Sequence, residues 1–85
     1  MIIFTKHAEE KLATKEGEKF KITKQTIIKL LDKPPLEEQL PKGIIRAVGV
    51  LNEIYALCVV YKRESGIIKV ITFFPARKGR YDNQI

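Results

Sequence analysis

The 85-residue sequence predicts an α+β fold in which two N-terminal helices pack on one face of a three- to four-stranded antiparallel sheet. Three observations carry that expectation. Apolar residues in the N-terminal part recur at helical spacing behind capping threonines. From Gly43 onward they fall into three extended runs rich in Val, Ile, Tyr and Phe. The separators between those runs, Asn52-Glu53 and Glu64-Ser65-Gly66, are of hairpin length. Helices first and strands afterwards make a two-layer domain with the helices segregated to one face.

The first helix, over about residues 5–16, starts at the cap Thr5, with Phe4 just ahead of it. Its inward stripe is Ala8 and Leu12, and Gly17 supplies the stop. The second, over about residues 23–33, starts at Thr23. Ile22 before that cap can pack on Ile27 four positions after it, which fixes how the chain enters the helix. Ile27, Ile28, Leu30 and Leu31 form an apolar arc wide enough to lie on a sheet. Pro34-Pro35 ends the helix, because proline cannot donate a backbone hydrogen bond and the first of the pair also restricts Lys33.

Strands follow over about residues 43–51, 54–63 and 67–74, leaving a basic C-terminal tail at 76–85. Residues 36–40 supply an optional fourth, edge strand, against which stand its paired glutamates and flanking prolines. Alternation puts Ile44, Arg46, Val48 and Val50 on one face of the first long strand and Ile45, Ala47, Gly49 and Leu51 on the other. Arg46 is thus the lone charge on its face. In the last strand Ile68, Val70, Thr72 and Phe74 oppose Ile67, Lys69, Ile71 and Phe73, so alternation does not decide which side meets the helices.

This length makes one domain. No run of about 18 apolar residues is present to span a bilayer, and the start Met1-Ile-Ile-Phe4 lacks the basic and longer apolar segments of a secretion signal, so the expected location is the cytoplasm, without membrane contact. The one cysteine, Cys58, sits inside Leu57-Cys-Val-Val60, where a small buried hydrophobe is its expected role. The net charge of +6 is uneven: residues 17–33 carry five lysines against Glu18 and Asp32, and residues 54–85 carry six Lys/Arg against Glu64 and Asp82. Two cationic segments concentrate polyanions, which makes nucleic acid the first partner to consider and an acidic protein the second.

For chemistry, the apolar run Ile67 to Phe74 breaks at Pro75 into Ala76-Arg77-Lys78-Gly79-Arg80-Tyr81. A buried strand would deliver two arginines, a lysine and a tyrosine to a sheet edge. Guanidinium forks match phosphate oxygens, and a tyrosine can stack on a base or donate a proton. A solvated tail is the plain alternative. His7, the only histidine, lies four positions from Lys11 on the shoulder of the first helix stripe. At a helix-sheet seam a half-buried imidazole can act as acid or base, and the neighbouring lysine would lower its pKa; an amphipathic ring with a structural role fits the same place.

No metal-ligand spacing, Gly-rich phosphate loop or primed serine is present, and Ser65 belongs to a turn. The compatible chemistry is metal-free RNA cleavage, in which the substrate's own 2′-hydroxyl attacks the adjacent phosphate. That reaction needs cations and one or two proton-transfer groups, and no cofactor.

The pattern Val59-Val60-Tyr61, Gly66-Ile-Ile-Lys-Val-Ile-Thr72, Ala76-Arg77-Lys78 and Arg80-Tyr81, behind two helices, resembles the small BrnT-type toxins of the RelE/ParE-like superfamily. The opening Phe4-Thr5-Lys6-His7-Ala8-Glu9-Glu10-Lys11-Leu12 is similar to uncharacterised small domains that begin with a His-Ala helix. The resemblance implies a metal-independent endoribonuclease, the toxin of a toxin-antitoxin pair, with an acidic antitoxin as partner. Carried over by position, it matches Arg77, Arg80 and Tyr81 after the last strand, with Arg46 and Lys62 as strand-borne cations; together with the residue reading above, this gives His7, Arg77 and Tyr81 as the expected catalytic residues and Lys11, Arg46, Lys62, Lys78 and Arg80 as the expected RNA phosphate contacts. Thr72-Phe73-Phe74-Pro75 departs from the family's Ser-Ala-Arg type of ending, and ParE-like relatives are not ribonucleases.

The competing reading is a non-catalytic module that binds nucleic acid or protein through the same basic surface. A third is a homodimer formed through a strand edge, residues 36–40 or the last strand.

Overall fold

Ser65 and Gly66 both adopt positive φ, 49° and 78°, as the central pair of a two-residue hairpin whose twist matches its strands. Around that turn the chain builds its sheet. The computed structural model describes residues 1–80, without the side chains of Glu16 and Arg80. Among them are strands β1 (Ile2–Phe4), β2 (Leu36–Gln39), β3 (Ile44–Val50), β4 (Tyr55–Glu64) and β5 (Ile67–Arg77), and helices α1 (Lys6–Leu12), α2 (Lys15–Lys19) and α3 (Lys24–Asp32). The strands form one mixed sheet of order β1-β5-β4-β3-β2, in which β1 runs parallel to β5 and every other neighbour is antiparallel. The α+β class holds, and the sheet is wider than the expected three or four antiparallel strands.

The main core lies under the helices. Ala8 of α1 and Ile27 and Leu31 of α3 bury against Ile45 and Ala47 of β3, Leu57, Val59 and Tyr61 of β4, and Val70 and Phe73 of β5. The opposite face carries only a small buried cluster, Val48, Ala56 and Cys58, flanked by Leu36, Phe74 and Ala76. Ile22 and Ile27 are both buried on either side of the Thr23 cap, and Thr23 and Thr26 close a reciprocal capping box.

The first helix ends at Leu12, well before Gly17. The Thr14 hydroxyl bonds the carbonyl of Lys11 at 2.6 Å and accepts from the amide of Gly17 at 3.3 Å, so it stops α1 and starts α2. Gly17 lies inside α2, where a Cβ would come within 2.7 Å of the Leu12 carbonyl oxygen. Its smallness permits the close turn; it does not terminate the first helix.

One residue in β5 decides the rest. Tyr61 pairs with Val70 and Val60 with Thr72, so Ile71 is the extra residue of a β-bulge. The bulge puts Val70 and Phe73 on the same, helix-covered side. Its freed carbonyls find partners in the first turn of the chain: the Thr5 amide donates to the Val70 oxygen and the Thr5 hydroxyl to the Ile71 oxygen, both at 3.0 Å.

Candidate nucleic-acid interface

Beyond β1, the outer edge of β5 is met by α1. The Lys11 ammonium curls over it, donating to the Phe73 carbonyl and lying 3.4 Å from the Thr72 hydroxyl, with the Phe73 and Phe74 ring centres 5.5 and 5.8 Å away. Residues two apart along a strand direct their backbone groups the same way. Since Phe73 presents its carbonyl outward to Lys11, Pro75 also faces outward, where its missing N–H costs no ladder bond.

Next comes Arg77, the last residue of β5. It pairs with Tyr55, is exposed, and sets its guanidinium carbon 5.8 Å from the centre of the Tyr55 ring. That ring is fixed from behind by Phe20, edge-on with centroids 4.8 Å apart, and Phe20 carries the Lys19 ammonium at 5.6 Å. The Lys78 amide donates to the Ile54 carbonyl at 3.0 Å, tying the end of β5 to the β3–β4 turn. That turn is shaped by Asn52, whose side-chain oxygen accepts from the amides of Ile54 and Tyr55 at 2.9 and 2.8 Å.

The expected site residues do not all converge. Arg46 and Lys62 point from the sheet face opposite the helices, because Arg46 lies between Ile45 and Ala47, both buried under them, and Lys62 follows Tyr61, which is also buried there. Arg46 holds Glu38 of β2 at 2.7 Å, and Lys62 lies 3.6 Å from Glu64 and beside Lys69 of β5. Arg77 stands on the helix side. The shared hollow expected for Arg46 and Arg77 is therefore not formed, and the bulge is the cause: counted straight back from the Ser65-Gly66 turn, Arg77 would face Ile54 on the Arg46 side. One inserted residue moves it to Tyr55 and turns it over.

His7 is exposed on α1, where it lines a shallow surface with Glu10, Lys11 and Thr14; the seam position expected for its ring is taken by the longer Lys11. Arg77 and Lys78 are consecutive at the end of β5, further along the strand than the Phe73 carbonyl that Lys11 holds. The Arg80 side chain and Tyr81, expected to complete the site, lie outside the described residues.

Two further features were not anticipated. Tyr55 and Phe20 have no motif signal, and the facing of Tyr55 and Arg77 depends on the bulge. The second is a polar clasp at the other end of the sheet: the Tyr61 hydroxyl donates to Glu37 at 2.8 Å, and Arg63 lies 3.9 Å from the same carboxylate. Burial first, then the hydrogen bond and charge of Glu37, push the Tyr61 hydroxyl up to about 12, with Arg63 opposing. Glu37 and Glu38, adjacent in β2, thus serve opposite faces.

Among the described residues no three His, Cys, Asp or Glu side chains gather as a metal ion requires, and no helix is long and apolar enough to cross a membrane. In comparisons with known proteins, no family model matches the chain, and neither a curated protein nor a solved structure shows significant similarity to it.

Proposed function

We propose that this protein binds RNA along the outer edge of β5 and does so without cutting it. The observation that carries the reading is the set Lys11, Arg77 and Lys78 about the second half of β5, with a partly exposed ring beside two of the cations: Phe74 at Lys11 and Tyr55 at Arg77. Alternating charge and aromatic surface suits a backbone whose bases are free to stack, and the net charge of +6 speeds the encounter.

Binding is favoured over cleavage by the placement of the proton-transfer groups. Attack by a 2′-hydroxyl needs an acid, a base and a cation around one phosphate. Of the groups expected to share that task, Arg46 is engaged with Glu38 on the far face and His7 stands exposed on α1. The likeness to BrnT-type toxins, with an acidic antitoxin as partner, supplies the competing outcome.

The deciding experiment titrates the protein into a short labelled RNA in the presence of chelator, reads anisotropy, and then runs the RNA on a denaturing gel. Salt-sensitive binding with intact RNA is expected, weakened roughly tenfold or more in Arg77→Ala/Lys78→Ala. Cleavage that disappears in Tyr81→Phe would replace this reading with the endoribonuclease one. Absence of binding even at about 50 mM salt would remove RNA altogether.

A further inference from the structure

We infer that the end of β5 holds a pocket for a single unpaired nucleotide, with its base against Tyr55 and Pro75 and its phosphate on Arg77. This deepens the RNA-binding reading and rests on it. The pocket is a cleft of about 320 Å3 lined by Tyr55, Phe74, Pro75, Ala76 and Arg77, a volume at the small-ligand end of the range that binding sites occupy. Tyr55, Pro75 and Arg77 belong to the helix-covered side of the sheet and bring together an aromatic ring, a proline ring and a guanidinium, while Phe74 and Ala76 belong to the other side.

Three features favour a base over the other occupant a strand edge invites, which is a strand from another chain. Pro75 has no N–H to offer and blunts the edge for strand addition. The Tyr55 ring is held edge-on by Phe20, so its orientation is set before anything binds. A cation stands beside the ring, the Arg77 guanidinium carbon 5.8 Å from the Tyr55 ring centre, which places positive charge for the phosphate next to one stacked base. A duplex keeps its bases paired and presents no face to this ring. The site therefore selects single strands or loops.

Two measurements test it. In the first, adenosine 5′-monophosphate and, separately, inorganic phosphate are titrated into isotope-labelled protein and followed by amide chemical shifts. The nucleotide should move the signals of Tyr55, Ala76 and Arg77, while phosphate alone moves Arg77 and leaves Tyr55 still. In the second, single-stranded RNA and its duplex are compared by anisotropy with Tyr55→Leu, which keeps apolar bulk and loses the aromatic face. Single strands should bind about tenfold tighter than duplex, and the variant should lose about 5- to 10-fold on single strands only.

Equal binding of both RNA forms, unaffected by Tyr55→Leu, would overturn the pocket while leaving RNA binding intact. Failure of every RNA to bind would overturn both. Should a variant fail to fold, the nucleotide titration on the unaltered protein decides: shifts that phosphate reproduces in full would also overturn the pocket.

Discussion

Thr5 accepts the amide of Ala8 at 3.2 Å and donates its own proton to the carbonyl of Ile71, so one hydroxyl both caps α1 and satisfies the bulge 66 residues away. Replacement by valine keeps the shape and removes both bonds. Thr5→Val should cost about 1–3 kcal/mol, read as a fall of roughly 5–15 °C in melting temperature, and Thr5→Ser should recover most of it. A loss in Thr5→Ser with none in Thr5→Val would locate the effect in packing of the methyl group. Tyr61 gives the second residue-scale test. Its hydroxyl ionises near 10 when unfolded and is pushed up to about 12 in the fold. Between those values the unfolded chain releases a proton that the folded chain keeps, so this contribution is whole below pH 10 and fades as pH climbs towards 12. Tyr61→Phe should lose about 1–2 kcal/mol at neutral pH by stranding Glu37. The melting-temperature gap between it and the parent should then narrow as pH rises through that window. A gap of constant size would show that Glu37 does not hold the Tyr61 proton.

Among the elements, those with a strong local signal were legible and those defined by their neighbours were not. The Thr23 cap, the Ile22–Ile27 staple and the double proline bounded α3 closely, and the Ser65-Gly66 turn fixed one hairpin. β1 was hidden because three residues, Ile2–Phe4, carry no period; it exists because β5 has an outer edge to pair. β2 read as doubtful for its glutamates, and those are what anchor it, one to Tyr61 and one to Arg46. The two faces of β5 looked equally apolar because Val70 and Phe73 share a side only after Ile71 is counted out. The same missed residue separated Arg77 from Arg46 and set the two on opposite faces of the sheet. Gly49 offers a test of how α3 reaches β3: a Cβ there would overlap the Leu30 side chain. Gly49→Ala should therefore cost about 1–3 kcal/mol, and less in a Leu30→Ala background, where the space has been opened. Additive losses would mean that the cost of the added methyl does not come from the Leu30 side chain.

For the whole molecule, the question is whether polyanions respond to total charge or to its placement. Helices cover one face of the sheet; the other bears Lys62 and Lys69 side by side near one end and the small cluster around Val48 and Cys58 near the other. Two double variants remove the same charge from different places. Arg77→Gln/Lys78→Gln and Lys62→Gln/Lys69→Gln each take the formal net charge from +6 to +4. Long-range attraction depends on the total and is screened beyond about 8 Å at physiological salt, so it changes alike in both. Contact with phosphate does not, because each neutralised phosphate adds about 0.7 to the slope of log affinity against log salt for a single strand. The first pair should flatten that slope by about 1.4 and weaken binding to single-stranded RNA roughly tenfold at physiological salt, whereas the second should leave the slope unchanged and the affinity within about twofold. Equal effects would assign the attraction to the charge of the whole globule, and a larger effect from Lys62 and Lys69 would move the interface to the uncovered face of the sheet.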